Sequence, residues 1–350
     1  MSVNPPLKIL VVGDSYMPPR YFAEAFAPLE AANAIEYFQV DAAWPFEPTT
    51  SSERRLREYQ GSPAELAERM AGVDVLVVQG AAVTDEVLDA SPELQLVCCA
   101  RGGPVNVDVE AVTARGLPLV NTPGKNAEAV ADLTLAFLVM LARGLPGAQR
   151  FIDEGNQLRD NWEGARFIGS DLRRHVLGLV GYGQVGRRVA LRALAFGLTV
   201  LVYDPYVEDV AAGEQVESLD ELLGRADFVS LHARATPDTE NLIDVETLAA
   251  MKPNAFLVNT ARESLVNEDA LDAALASGRL AGAALDVVRT TEQSGRHRLL
   301  RHENVVLTPH LGGATHETLL RGAEMIAEEI ARFGAGDPLV NVVNRTPSPA

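Results

Sequence analysis

A glycine-rich segment, GYGQVG at 181–186, stands between an apolar run, His175 to Val180, and a helical pattern. Such a turn lets backbone N–H groups and a helix N-terminus approach a pyrophosphate. Eighteen residues after Gly186 the next apolar run ends at Asp204, where a carboxylate would accept both ribose hydroxyls of NAD and repel the 2′-phosphate of NADP. A protein kinase glycine loop has the same spacing, but no HRD or DFG segment follows it. The pattern therefore predicts a dinucleotide site made by Gly181, Gly183, Gln184, Val185, Gly186 and Asp204.

Two further side chains of chemical interest, Arg262 and His310, each come just after a short apolar run. A guanidinium at a strand end can clamp a substrate carboxylate, although a solvated surface arginine explains the position equally well. An imidazole exchanges a proton near neutral pH. Because ligands gather at the carboxyl ends of parallel strands, we expect both side chains to share one crevice with Asp204 and Asp286.

The elements that must position these residues follow one another regularly. Short apolar runs alternate with helical patterns, which predicts parallel sheets wrapped by helices. A capping pattern at Ser62 opens a helix towards Met70, and Ala127 to Ala142 is a nearly all-apolar, buried helix. The predicted strands are Leu7–Val12, Ile35–Val40, Asp74–Val78, Leu94–Cys99, Val176–Val180, Thr199–Tyr203, Phe228–His232, Phe256–Asn259, Ala283–Val287 and Val305–Thr308.

Composition limits the classes of function. The chain has 350 residues, long enough for two domains, and a net charge of −18, which disfavours nucleic acids and anionic membrane surfaces. Adjacent Cys98 and Cys99 exclude a disulfide framework, and no HExxH, paired CxxC or carboxylate loop predicts a metal. The apolar stretch Leu133 to Ala142 is half of what a bilayer needs, so a cytoplasmic protein is expected.

Four segments together resemble the D-isomer-specific 2-hydroxyacid dehydrogenases, such as phosphoglycerate dehydrogenases and glyoxylate/hydroxypyruvate reductases. They are ARGGPVNVD at 100–108, the glycine-rich segment with Asp204, the turn Asn259 to Arg262, and LDV at 285–287 leading to 304–313. The resemblance implies an α/β protein with two doubly wound parallel-sheet domains. A Rossmann NAD-binding domain, 126–308, would be inserted into a flavodoxin-like substrate domain, 1–125 and 309–350. It also implies a homodimer joined through the NAD-binding domain.

The resemblance assigns roles position by position. Arg262 would bind the substrate carboxylate and keto oxygen, and His310 would be the acid and base that exchanges a proton while nicotinamide exchanges a hydride. The backbone of Arg101, Gly102 and Gly103 would line the substrate pocket. NAD would be held at the pyrophosphate by Gln184 and Val185, at the ribose by Asp204 and at the carboxamide by Asp286, with Thr236, Thr260, Ala261, Arg262, His310, Gly312 and Gly313 completing the site.

Three departures from the family pattern stand out. The family places a glutamate, hydrogen-bonded to the catalytic histidine, five residues after the Asp286 position; here Thr291 holds that place, and we expect Glu292 to replace it. Arg234 stands where the family has a proline. Phosphoglycerate members carry an arginine after the third strand, whereas this chain has the uncharged QGAA at 79–82.

The expected function is NAD-dependent hydride transfer between nicotinamide and a small anionic D-2-hydroxy or 2-keto acid, other than 3-phosphoglycerate. An NAD(H)-sensing binding protein, like the family's corepressors, is the alternative. Those relatives have flanking disordered tails, so the short ends of this chain favour the enzyme. An inactive relative marked by Thr291 is a third reading.

Overall fold

The computed structural model describes residues 5–41, 48–157, 163–289 and 297–344. The chain divides into two compact units, a first unit of Met1–Lys125 with Thr315–Ala350 and a second unit of Asn126–Ala314. The later junction lies at 314/315, beyond the predicted 308/309, because hydrogen bonds to Asp286 tie the turn at 308–312 to the second unit.

The strands of the described residues run in chain order through both units. They are β1 Lys8–Gly13, β2 Ala34–Gln39, β3 Val75–Val78, β4 Leu96–Cys99, β5 Leu119–Val120, β6 Val176–Val180, β7 Thr199–Tyr203, β8 Glu214–Gln215, β9 Phe228–Leu231, β10 Ala255–Asn259, β11 Leu280–Leu285 and β12 Val305–Leu307.

The helices connect and cover these strands. They are α1 Pro19–Glu30, α2 Pro63–Ala67, α3 Asp85–Asp89, α4 Val109–Ala114, α5 Ala127–Ala142, α6 Leu145–Asp153, α7 Gln184–Ala195, α8 Leu219–Arg225, α9 Val245–Ala250, α10 Glu268–Ala276 and α11 His316–Ala335. Short 3₁₀ turns lie at Glu53–Arg55, Glu163–Phe167, Pro237–Thr239, Glu263–Leu265 and Arg298–Arg301.

The first unit is built on a parallel sheet of order β2-β1-β3-β4-β5. Strands β1, β3 and β4 are buried nearly throughout, because helices cover both faces. Successive strands are added to one side of β1 as far as β2 and to its other side from β3 onward, which is the flavodoxin-like strand order. Cys98 and Cys99 are buried in β4 as free thiols, as predicted.

The second unit is built on a parallel sheet of order β12-β11-β10-β9-β6-β7-β8. Strands β7 and β8 lie on one side of β6, and the strands from β9 onward lie on the other side, so the strand order switches between β6 and β9. This is the Rossmann arrangement, and the predicted fold of two doubly wound parallel sheets is confirmed. The apolar helix α5 has the predicted bounds, and its inner side packs with β6, β7 and α7 in one core. No single described helix is long and apolar enough to cross a bilayer; α5 with α6 reaches that length only around a 70° bend.

Several local features differ from the prediction, which did not include the short strands β5 and β8. The helix after Ser62 ends at Ala67 rather than near Met70, and the Ser62 side chain makes no capping hydrogen bond. Helix α1 was not predicted, because Pro18 and Pro19 at its start and Pro28 in its interior are signals that usually indicate a turn. Helix α10 has a side-chain cap, in which Asn267 Oδ1 accepts from Ala270 N–H.

Candidate active site

The glycine-rich turn follows β6 directly and leads into α7 at Gln184. Gly181 adopts a left-handed φ of +101°, and a Cβ built there would lie 2.7 Å from the carbonyl carbon of His232. A Cβ built at Gly183 would have no other atom of the described residues within 4 Å, its chain neighbours aside. The turn is therefore packed at Gly181 and open at Gly183, which leaves space for a pyrophosphate at the N-terminus of α7. These residues fit NAD.

Asp204 comes immediately after β7 and is bound to that turn. Tyr182 N–H donates to its Oδ2 at 2.7 Å, and Tyr206 N–H donates to its Oδ1 at 2.9 Å. The two bonds fix the carboxylate beside the glycines while leaving each oxygen capacity for another donor. The ribose hydroxyls of a dinucleotide are such donors.

The turn after β10 is organised by Asn259, which is fully buried. Its Oδ1 accepts from Ala261 N–H at 3.0 Å, and its Nδ2 donates to the Arg262 carbonyl at 2.8 Å. Thr260 Oγ1 lies 3.1 Å from Thr134 Oγ1 in α5. The side chain of Arg262 is exposed, and its Nη1 donates to the Ala261 carbonyl at 2.6 Å. Asn259 was not among the predicted site residues; a buried amide ending an apolar strand was its signal.

The turn that carries His310 is held by Asp286, which is 2% exposed at the end of β11. Its Oδ1 accepts from Thr308 Oγ1 at 2.6 Å and from Leu311 N–H at 2.8 Å, while Oδ2 accepts from Gly312 N–H at 2.7 Å. His310 N–H donates to the Asp286 carbonyl at 2.8 Å. His310 is thereby fixed in a left-handed conformation, φ +55°, with its side chain exposed. The carboxylate of Asp286 thus serves first as a support for this turn.

The remaining predicted cofactor residues lie in loops of the second unit. Thr236 is exposed and begins a 3₁₀ turn, in which its N–H donates to Thr239 Oγ1 at 2.8 Å. A Cβ on Gly313 would lie 3.1 Å from Asn126. Arg234 is exposed. His232, which backs the glycine-rich turn, has its Nε2 3.0 Å from Ser230 Oγ, and burial lowers its pKa to about 4. This histidine is therefore neutral at working pH.

In the first unit, the predicted substrate residues Arg101, Gly102 and Gly103 follow β4. Arg101 pairs with Glu58, and Asn121 Nδ2 donates to the Gly102 carbonyl at 2.9 Å. Lys125 is buried, and its Nζ donates to the Ala100 carbonyl at 2.6 Å. Burial lowers the pKa of Lys125 to about 8. The loop is thus held by side chains that the sequence patterns did not single out.

The predicted acid Glu292, with Thr291, lies outside the described residues. The residues on either side of that segment converge on Glu268, which is 6% exposed. Its Oε1 accepts from Arg289 N–H at 2.7 Å, and its Oε2 lies 3.4 Å from His297 Nε2. Within the described ranges, no group of three or more His, Cys, Asp or Glu side chains is placed to hold a metal ion.

Comparison with known families tests the family resemblance that the sequence motifs indicate. Residues 135–312 match the family described as D-isomer specific 2-hydroxyacid dehydrogenase, NAD binding domain. The match covers the glycine-rich turn, Asp204, Arg262, Asp286 and His310. The chain belongs to the D-isomer-specific 2-hydroxyacid dehydrogenase family. Its second unit is the NAD-binding domain of that family.

Individual members of the family are similar over different lengths. A glyoxylate reductase of Korarchaeum cryptofilum is 37% identical over 94% of this chain and 97% of its own. A D-3-phosphoglycerate dehydrogenase of Methanocaldococcus jannaschii is 39% identical over 80% of this chain, and the chain spans about half the length of this and similar phosphoglycerate dehydrogenases (53% here). The solved structure of D-mandelate dehydrogenase from Rhodotorula graminis has a TM-score of 0.80 at 27% identity, covering 99% of this chain and 100% of that one.

Proposed function

We propose that this protein is an NAD-dependent dehydrogenase that interconverts a small anionic D-2-hydroxy acid and its 2-keto acid. The supporting observation is the order of the second sheet, in which β10, β11 and β12 are neighbours. Arg262, Asp286 and His310 follow these three strands in turn, at the same edge as the glycine-rich turn after β6. The proposed carboxylate-binding arginine, the proposed proton donor and the glycine-rich turn for the dinucleotide therefore lie at one edge of the sheet.

The chemistry assigned to these residues is one hydride and one proton. NADH, when bound, supplies the hydride for the carbonyl carbon. Arg262 binds the carboxylate through its planar fork and polarises the keto oxygen, and His310 donates the proton that this oxygen takes up. In the oxidative direction His310 accepts that proton. We propose Glu292 as the carboxylate that pairs with His310, since a carboxylate beside an imidazole favours the proton-donating form.

The cofactor and substrate contacts are proposed on the same basis. Gly183 to Gly186 and Asp204 bind pyrophosphate and ribose, as their open N–H groups and fixed carboxylate support. The backbone of Arg101 to Gly103 binds the substrate. Contacts to the nicotinamide half of NAD are proposed for Thr236, Thr260, Ala261, Arg262, Asp286, His310, Gly312 and Gly313.

The direct test is NADH oxidation by the purified protein with glyoxylate, hydroxypyruvate and pyruvate. We expect saturable turnover of at least one of them. Tight NADH binding without turnover of any 2-keto acid would instead support an NAD(H) sensor. The uncharged loop after β3 also leads us to propose that 3-phosphoglycerate is not the substrate, which its saturable oxidation at micromolar concentration would refute.

Asp204→Asn should move cofactor preference towards NADP. The asparagine keeps an acceptor for one backbone N–H, but it removes the negative charge that repels a 2′-phosphate. We expect the ratio of kcat/KM for NADH to that for NADPH to fall about tenfold, equivalent to about 1.4 kcal/mol. Asp238→Asn, an exposed acid of the same unit, is the matched control. An unchanged ratio in Asp204→Asn would remove Asp204 from the ribose site.

We also propose a homodimer formed through the second unit. Leu191 and Phe196 of the α7 segment are 62% and 51% exposed, and Phe196 with Val139 and Met140 of α5 lines an apolar groove. Exposed large apolar side chains and an apolar groove are typical of an interface. Ala136→Glu, at an exposed position in that groove, should yield monomers by light scattering, whereas Ala273→Glu, at an exposed position of α10, should not. A monomeric wild-type protein would contradict the proposal.

A further inference from the structure

A group of buried polar side chains lies at the carboxyl ends of the first unit's strands, at the topological switch point of the sheet. Asp14 follows β1 and Gln79 follows β3, the two strands between which the strand order switches. In open parallel sheets, ligands bind outside the carboxyl ends of the strands at this point. Position alone therefore marks Asp14 and Gln79 as candidates for ligand contact.

Asp14 is 1% exposed and firmly fixed. Its Oδ1 accepts from Tyr16 N–H at 2.9 Å and from Met17 N–H at 2.8 Å. Its Oδ2 lies against Gly80, where any Cβ would collide with it. The carboxylate thus occupies the space that a side chain after β3 would fill, which brings a negative charge to the loop at 79–82.

Two amide oxygens lie unpaired around the same glycine. Gln79 is 5% exposed, and its Oε1 has no hydrogen-bond partner among the residues that the structure describes. The same holds for Oε1 of Gln60, whose N–H donates to the Gly80 carbonyl at 2.8 Å. Buried acceptors without partners are destabilising and rare in folded proteins. They indicate a ligand that brings donors.

The neighbouring cations are already engaged. Lys125 Nζ donates to the Ala100 carbonyl at 2.6 Å, and Arg101 pairs with Glu58. The side chains of Asp14, Gln60 and Gln79 therefore bring one carboxylate and two amides to this point, and the oxygens of the two amides are left without donors. Ionised phosphate and carboxylate groups cannot donate to these oxygens and are repelled by the Asp14 carboxylate, and an alkyl chain would leave the oxygens unpaired. Hydroxyl groups satisfy them.

We propose that Asp14, Gln60 and Gln79 bind hydroxyl groups on the tail of the substrate, which is a polyhydroxylated 2-hydroxy acid of the sugar-acid type. This inference rests on the proposed dehydrogenase function. It names specificity residues of the first unit and excludes phosphorylated and alkyl tails as preferred substrates.

The first test compares NAD reduction with three four-carbon acids: D-2,3,4-trihydroxybutanoate in both 3-epimers, its 4-phosphate, and D-2-hydroxybutanoate. We expect kcat/KM for one epimer of the trihydroxy acid to exceed kcat/KM for the 4-phosphate and for D-2-hydroxybutanoate by at least about tenfold, because a site built for hydroxyls rejects analogues that lack them. A preference for the phosphate or alkyl compound would overturn this inference alone. If no 2-hydroxy or 2-keto acid is turned over, the proposed function itself fails.

The second test is Gln79→Leu, which removes one acceptor and keeps the apolar volume. The ratio of KM for the trihydroxy acid to KM for glyoxylate, which has no tail, should rise about tenfold. Gln39→Leu at the exposed end of β2 is the control and should leave the ratio unchanged. Thermal unfolding checks that both variants fold. An unchanged ratio in folded Gln79→Leu would remove Gln79 from the substrate site.

Discussion

His310→Asn should lower kcat for 2-keto acid reduction by about 10³-fold, within the range that a positioned proton donor contributes. The substitution removes the proposed proton donor but preserves the backbone, because asparagine tolerates the left-handed φ of +55° found at this position. Stopped-flow hydride transfer, followed by NADH absorbance, measures the loss directly. NADH titration by fluorescence should still show binding, since the glycine-rich turn and Asp204 are untouched.

The control for that variant is Arg174→Asn. Arg174 is also left-handed, with φ +73°, and its side chain is exposed before β6, at the opposite end of the strands. It should retain wild-type turnover. If His310→Asn kept more than about a tenth of wild-type kcat, the proton would have another source.

Arg262→Leu should abolish recognition of the substrate carboxylate. Removing one partner of a hydrogen-bonded charge pair that the bound substrate buries costs about 2–5 kcal/mol, so kcat/KM should fall by about 30- to 5,000-fold. Arg262→Lys restores the charge but not the planar fork and should recover only part of the loss. Competitive inhibition by oxamate, a 2-keto acid mimic, reports carboxylate binding without chemistry and should weaken in parallel.

Arg173→Leu provides the matched control, because Arg173 is an exposed arginine of the same unit. Its oxamate inhibition should equal that of the wild type. Undiminished inhibition in Arg262→Leu would show that the anion is bound elsewhere.

The dinucleotide cradle was the part of the site most accessible from sequence. Its geometry is local: β6, the glycines and α7 are consecutive, and Asp204 ends the next strand. Apolar periodicity and glycine spacing report such arrangements directly. The burial of β3 and β4 and the bounds of α5 were predictable for the same reason.

The hydrogen bonds that hold the turns of the site were not predictable from the sequence. Some join residues that are distant in sequence, and others join a side chain to a backbone group a few residues away. Asp286 was expected at a strand end, but its bonds to Thr308 and Gly312 span 22 and 26 residues. Asn259 and Glu268 likewise act by holding backbone N–H groups. Periodicity carries no information on such hydrogen bonds, which depend on the finished packing.

The hydrogen bonds that hold the His310 turn come from Asp286 and Thr308, both in the second unit. The side chains that we assign to substrate choice, Asp14 and Gln79, are anchored wholly within the first. Laboratory evolution could therefore randomise the loops after β1 and β3 without disturbing the proposed proton donor. Such a division gives the scaffold a practical value: new acids can be sought by libraries confined to one unit while the catalytic turn is kept intact.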